Sequence, residues 1–188
     1  MYVPLWDSSI RIAGGGTFSL DLRGDNEWAR KTAALRELRG TTLALAFEVE
    51  YSLDVVIARF FFPNTNPQSL ELKLLFDELF LKSSSANFAR KIQTFKRVSR
   101  QPVLSSLISP DLLKNLNEVR DIRNRFAHHP IVFDRAPEGS TEQLIGKLVC
   151  RDKEITLDAA FFKETENLFW SVKGELQKVL SVFGVNKP

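Results

Sequence analysis

The residues whose types and spacing could do chemistry are concentrated in one short segment, Arg120 to Pro130. Two histidines, His128 and His129, follow a run of arginines there. Histidine titrates near neutral pH and can move protons, and arginine can hold a phosphate and stabilise negative charge as it develops. The segment is therefore suited to RNA cleavage, in which a 2′-hydroxyl attacks the adjacent phosphate, a reaction that requires no metal ion.

On a helix these side chains share one surface. Asn124 and His128 are four residues apart, Arg125 is three residues from His128 and four from His129, and Arg123 lies beside them. The alternative interpretation is structural: the histidines cap the last carbonyls of the helix and the arginines are solvated. Composition alone favours this alternative.

An arginine, a polar residue and then a histidine after four intervening positions resemble the Arg-x4-6-His motif of the HEPN (higher eukaryotes and prokaryotes nucleotide-binding) superfamily. By this resemblance Arg123 is the motif arginine, Asn124 the polar residue and His128 the motif histidine. His129 also fits the spacing, and with Arg125 it is an alternative catalytic residue. The resemblance implies a metal-independent endoribonuclease without a cofactor, whose composite site combines the motifs of two copies in a homodimer.

The same resemblance allows two functional interpretations. An RNA-cleaving member would act as a toxin, in defence or in RNA processing, with RNA as substrate and an antitoxin or other regulatory protein as a partner. The family also contains non-catalytic members, including regulators similar to the mannitol operon repressor. The alternative function is therefore a regulatory module that binds nucleic acid or protein, because a fold by itself does not separate the two.

Charge is distributed unevenly along the chain, although the net charge of +3 is modest. From Ser83 to Pro110 every charged residue is basic, whereas acidic residues are frequent in the preceding stretch. Such a basic stretch is a candidate surface for a polyanion, and a solvated helix face is the alternative. Together with one arginine of the motif helix, the expected RNA-binding residues are Arg90, Lys91, Lys96, Arg97, Arg100 and Arg120.

Two further sites carry weaker signals. Glu50 and Asp54 are four residues apart on a very apolar helix, so they need a cation if they are buried. We predict a structural ion pair with an arginine of the fifth helix, in preference to a catalytic role. Phe60 to Phe62 and Trp170 are expected to be core or dimer contacts and not a platform for stacking bases.

Composition limits the class of protein. With 188 residues and 44% hydrophobic residues, the chain fits one domain with a substantial core. A single cysteine, Cys150, excludes an internal disulfide and, with two histidines, a structural zinc site, which indicates a reducing, cytoplasmic location. The N-terminus lacks the pattern of a secretory signal, and the apolar stretch 43–62 carries four charged residues, so no membrane partner is expected.

The elements that position these residues are predicted to form a mainly α fold, a HEPN-like helical bundle with a small β-hairpin inserted before the C-terminal helix. Residues 1–24 form a loose N-terminal arm in which Gly14 to Gly16 turn between two short extended pieces. Residues 25–188 form a single helical domain, with the hairpin at about 131–156.

Capping residues and breakers set the predicted helix boundaries. The first helix starts at Asp25 or Asn26 and ends at Gly40, and the second covers about 41–62. The third opens at Asn66-Pro67, and a basic helix covers about 86–100. The fifth is capped at Ser109-Pro110 and stopped by Pro130, and the last is capped by Thr156 or Asp158 and ends near Gly184.

Overall fold

The computed structural model describes residues 9–11, 17–19, 27–63, 66–81, 87–135, 144–150 and 153–184. In these residues the fold is mainly helical with a small three-stranded antiparallel sheet, which confirms the predicted fold class of helices with a small hairpin. Within the same ranges no helix combines the length and apolar character needed to span a membrane.

The first helix, α1, is continuous from Glu27–Phe61 over 35 residues. The predicted break at Gly40 is therefore wrong. A glycine inside a helix costs only about 1 kcal/mol relative to alanine, which the packing of the rest of the helix can offset. The buried hydroxyl of Thr42, two residues further on, also has a partner within α1, because it donates to the Leu38 carbonyl at 2.8 Å. The core residues of α1 are Ala46, Val49, Leu53, Val56, Ile57 and Ala58.

The second helix, α2, covers Pro67–Phe76 and begins at the predicted Asn66-Pro67 signal. The Asn66 side chain accepts a hydrogen bond from the Ser69 amide at 2.7 Å. A π-helical turn, Asp77–Leu81, follows directly. None of the residues of α2 is buried, although the helix is rich in leucine. The serines at 83–85 lie outside the described residues.

The basic helix, α3, covers Phe88–Val98 and is capped by Asn87, whose side chain accepts from the Arg90 amide at 3.0 Å. A short helix that the sequence did not predict, α4, covers Pro102–Ser105. The motif helix, α5, covers Leu112–His128, and the Ser109 hydroxyl accepts from the Leu112 amide at 3.2 Å. The predicted cap and end of this helix are thereby confirmed.

The predicted hairpin is present and is extended by a third strand. Strands β3 (Ile131–Arg135), β4 (Leu144–Val149) and β5 (Glu154–Thr156) pair antiparallel in that order, with Ile131 opposite Leu148 and Lys147 opposite Thr156. Gly146 of β4 lies under Leu35, since an added Cβ would stand 2.8 Å from the Leu35 Cδ1 atom. Earlier in the chain, strands β1 (Ser9–Arg11) and β2 (Thr17–Ser19) pair antiparallel, which confirms the two predicted extended pieces. Gly14 to Gly16 lie outside the described residues.

The last helix, α6, covers Ala159–Val182. Asp158, one of the two predicted caps, accepts from the Phe161 amide at 2.7 Å. Gly184 has a φ of +69°, the left-handed conformation that commonly ends a helix and that glycine adopts without strain. This end agrees with the sequence prediction.

The chain divides into two compact units, and each long helix contributes to both. The first unit is Met1–Leu43 with Asn124–Thr165, and it contains all five strands. The second is 44–123 with 166–188, and it contains α2, α3 and α4. A division by contacts does not say whether either unit folds on its own. The single domain at 25–188 therefore stays a prediction.

Candidate active site and basic surface

Helix α5 has one buried face that fixes its position. Leu112, Leu116, Val119, Ile122 and Phe126 are all at most 5% exposed, with spacings of three and four residues. This is the stripe that the sequence pattern predicts. Polar side chains at the intervening positions are consequently attached to a rigid support, as a catalytic residue requires.

Contacts between aromatic rings hold the last turn of α5 in the first unit. The Phe126 ring lies 6.1 Å from the Phe161 ring and 6.3 Å from the Phe162 ring, centroid to centroid. After the helix, the Pro130 carbonyl accepts a hydrogen bond from the Val149 amide of β4 at 3.1 Å. The chain is therefore anchored on both sides of the histidine pair.

The two histidines differ in accessibility. His128 is exposed in the last turn of α5, whereas His129 is half-buried and its amide donates to the Arg125 carbonyl at 3.0 Å. A side chain that receives a proton from a substrate must be reachable, and His128 meets this condition better than His129. This difference favours His128 as the motif histidine.

Arg39 lies beside the end of α5, although the sequence did not indicate it. Its Nη2 atom donates to the Ala127 carbonyl at 3.3 Å. The bond satisfies one of the carbonyls that a helix leaves without a partner at its C-terminus, and it brings a guanidinium group next to the backbone of His128. Arg39 and His128 are 89 positions apart, so no local pattern could have revealed this pairing.

The motif arginine is held in the second unit against an aromatic ring. The Arg123 guanidinium carbon lies 5.6 Å from the centroid of the Phe47 ring, a cation–π geometry. Phe47 itself is 54% exposed. Arg123 is half-buried, as are Asn124 and Arg125. The arginine is therefore positioned by packing and not left as a freely moving surface side chain.

The acidic pair of α1 binds Lys91, not an arginine of α5. Lys91 donates to Glu50 at 2.8 Å and to Asp54 at 2.7 Å, and it is only 6% exposed. The predicted ion pair is therefore confirmed, but the predicted partner is wrong. Helix α3 packs its lysine onto α1, and this long-range contact cannot be deduced from helical spacing. Lys91 is correspondingly removed from the exposed basic residues that were expected to contact RNA.

Burial of this cluster perturbs the carboxyl group of Asp54. Desolvation raises the pKa of Asp54 to about 6, and the hydrogen bond and charge of Lys91 only partly offset that rise. The pKa of Lys91 is itself raised; its burial acts against the rise, but the bonds to Asp54 and Glu50 outweigh it. We assign a structural role to this cation buried between two carboxylates, because each of the three groups needs the others to remain charged.

The rest of α3 presents basic side chains to solvent. Lys96, Arg97 and Arg100 are exposed in its last turn and just beyond it, and Arg90 is exposed in its first turn. Arg120 of α5 differs, because its Nε and Nη2 atoms donate to Asp121 at 2.9 and 2.7 Å. The exposed part of the predicted RNA-binding set therefore consists of basic side chains of α3 and of Arg100 just after it.

The expected core role of Trp170 and Phe61 is wrong. Trp170 is 51% exposed and Phe61 is 49% exposed, so neither side chain belongs to the interior. Phe61 instead joins an aromatic cluster at the end of α1, where its ring lies 5.5 Å from the Phe76 ring. The alternative role of these residues, contact with a second copy, stays a prediction.

Comparisons of the chain with protein-family models, with curated proteins and with solved structures found no match. Within the described ranges, no group of three or more histidine, cysteine or acidic side chains is arranged to hold a metal ion. The candidate functional residues are those at the end of α5 and the exposed basic side chains of α3.

Proposed function

We propose that this chain is a metal-independent endoribonuclease of HEPN type. The observation that carries the proposal is the exposed His128 in the last turn of a well-anchored helix, with the Arg39 guanidinium held on the carbonyl next to it. Arg123, supported by the Phe47 ring, supplies the motif arginine. We expect His128 to transfer protons, and we expect Arg123 and the exposed basic side chains of α3 to bind phosphate.

The proposed reaction is cleavage by the RNA itself. The 2′-hydroxyl loses its proton and its oxygen bonds to the adjacent phosphorus, while the bond from phosphorus to the 5′-oxygen breaks and that oxygen gains a proton. The products are a 2′,3′-cyclic phosphate and a 5′-hydroxyl. His128 transfers protons, and Arg123 stabilises the charge on the phosphate oxygens in the transition state. In a composite homodimeric site the second copy's motif supplies the second proton-transferring group.

The test is RNA cleavage in the presence of EDTA. We expect wild-type protein to leave cyclic phosphate ends and His128→Ala to lower the rate by about 10² to 10⁴-fold, the range for loss of a general acid or base. His129→Ala is the matched control, because it removes the same side chain one position further on. Retention of full activity by His128→Ala would exclude this mechanism, and loss only in His129→Ala would move the role to His129.

Assembly is tested separately. Sedimentation is expected to show a dimer at micromolar concentration, because the proposed site combines two motifs. A stable monomer that still cleaves RNA would exclude the composite site while leaving the nuclease proposal intact. If the protein is a toxin, expression of wild type in the cytoplasm of a host cell should arrest growth of that cell. Expression of His128→Ala should not.

The second candidate function is a non-catalytic module that binds nucleic acid or a regulatory protein. It is favoured by the exposed apolar side chains of α2 and the turn after it, which suit a protein partner: Leu70, Leu72, Leu74, Leu75, Leu79 and Phe80. The nuclease and a module that binds nucleic acid both predict that Arg97→Glu weakens RNA binding and lowers its salt dependence. Only the nuclease predicts that wild type cuts RNA and that His128→Ala binds RNA normally but no longer cuts it.

A further inference from the structure

Helix α2 and the π-helical turn after it turn a mostly polar face inward and an apolar face outward. The half-buried side chains recur every three or four residues and form the inner face: Ser69, Lys73, Phe76 and Asp77. Five leucines on the other positions are 51% to 67% exposed: Leu70, Leu72, Leu74, Leu75 and Leu79. A surface helix ordinarily buries its apolar residues, so the orientation of α2 is the reverse of the usual one.

Contacts of the inner face hold this orientation. The Lys73 ammonium donates to Asp77 at 2.6 Å, which neutralises the polar residues on the inner side. The Phe76 ring lies 5.5 Å from the Phe61 ring and 5.5 Å from the Phe62 ring, centroid to centroid, so α2 is packed against the end of α1. The leucines therefore form a preformed apolar surface, and such exposed surfaces are typical of interaction sites.

Two carboxylates lie in the middle of this leucine surface. Glu71 and Glu78 are both exposed and seven residues apart, which places them on one side of the helix at a separation of about 10 Å along its axis. Leu74 and Leu75 lie three or four residues from each glutamate, one on either side of the line that joins the two. No ion pair among the described residues involves either glutamate.

The position of these carboxylates selects the occupant of the surface. A lipid bilayer that covered the leucines would bury both glutamates in hydrocarbon, where a charged group is costly. The same face of a second copy would bring acids against acids, which repel each other. An apolar helix that carries lysine or arginine two turns apart covers the leucines and also neutralises both glutamates.

We propose that the outer face of α2 and the turn after it binds a leucine-rich helix of a partner protein. Lysine or arginine side chains of that helix, seven residues apart, pair with Glu71 and Glu78, while its leucines cover Leu74 and Leu75. Covered leucines exclude water from the ion pairs, and an ion pair shielded from water is stronger than one in solvent. The proposal rests on the second candidate function, since it names the chemistry of that protein partner, and it is independent of RNA cleavage at the end of α5.

The test is a calorimetric titration of the full chain with a synthetic helical peptide of about 15 residues, or four turns. The peptide has leucines at spacings of three and four and two lysines seven residues apart. We expect micromolar binding to wild type, and binding at least about tenfold weaker when glutamates replace the lysines. Leu75→Gln should weaken binding of the lysine peptide about tenfold, the loss of one central apolar contact. Val103→Gln is the control, because Val103 is 60% exposed on α4.

The role of the carboxylates is tested by the double variant Glu71→Gln, Glu78→Gln. It keeps every leucine, so it should bind both peptides with similar affinity and lose the preference for lysine. Glu118→Gln is the control, because Glu118 is exposed on α5 and away from α2. All these positions are exposed and glutamine is a good helix former, so misfolding is not expected to obscure the comparison.

Three results would overturn the proposal: no binding of the lysine peptide at about 100 micromolar, equal binding of the two peptides by wild type, or equal binding by Leu75→Gln and Val103→Gln. Other occupants are tested without peptide. Sedimentation or binding to phosphatidylcholine vesicles that Leu75→Gln changes would assign the face to a second copy or to a bilayer instead. Because none of these assays contains RNA, their failure is distinguishable from failure of the functions tested with RNA.

Discussion

Replacement of Lys91 by methionine is expected to destabilise the fold much more than the loss of an exposed lysine. The ammonium of Lys91 bonds two carboxylates, Glu50 and Asp54, whose side chains are only 16% and 21% exposed. Methionine keeps most of the aliphatic volume but leaves both acids without their cation. Removing one partner of a buried ion pair costs about 3 to 5 kcal/mol. Because both carboxylates retain some contact with water, we expect about 3 kcal/mol.

The assay is urea denaturation followed by circular dichroism at neutral pH. Lys96→Met is the matched control on the same helix, since Lys96 is exposed, and it should change the free energy of unfolding by less than about 0.5 kcal/mol. Adding Asp54→Asn to Lys91→Met should recover part of the loss, because one buried charge is then removed. A loss below about 1 kcal/mol for Lys91→Met, or equal losses for the two lysines, would refute the assignment of Lys91 to a buried structural cluster.

Two further predictions concern pH and helix α1. The pKa of Asp54 is about 6 in the folded protein against 3.8 as its ordinary value, so the folded state binds the proton more tightly and this group's contribution to stability falls as pH rises from about 4 to 6. After allowance for solvent screening, the loss of stability is about 1 to 2 kcal/mol. It is measured as the wild-type minus Asp54→Asn difference in the free energy of unfolding. If this difference rises with pH, the raised pKa of Asp54 is contradicted. Gly40→Ala should stabilise the protein by about 1 kcal/mol in the same denaturation assay. Gly40 is exposed inside a helix, and an added Cβ meets nothing within 4 Å. A destabilised variant would contradict the continuous helix.

Features set by neighbouring residues were predictable from the sequence. The Asn66-Pro67 start of α2, the Ser109 cap of α5 and the Asp158 cap of α6 each use a side chain three residues from the amide it binds. The end of α5 before Pro130 likewise follows from local sterics. These signals act within one turn of helix, so they are present in the sequence itself.

Features set by packing were not predictable in the same way. Gly40 is a typical helix-ending residue in the sequence, but α1 continues through it, and α1 is buried on both sides of it, at Thr32 and from Thr42 onward. Lys91 was grouped with its basic neighbours, and only the packing of α3 on α1 identifies it as the partner of Glu50. Arg39 lies 88 positions from the carbonyl that it binds. For Lys91 and Arg39 the decisive partner is distant in the chain.

The structure also reduces the basic surface available to RNA. Six residues were expected to contact it, but Lys91 is bound by two acids and Arg120 is bound by Asp121. Because binding to single strands weakens by about 0.7 logarithmic units per logarithmic unit of salt for each phosphate contact, every basic residue removed from the set lowers the expected salt dependence. The exposed residues of α3 alone supply only a few contacts. Tight RNA binding by this chain would therefore need further cations.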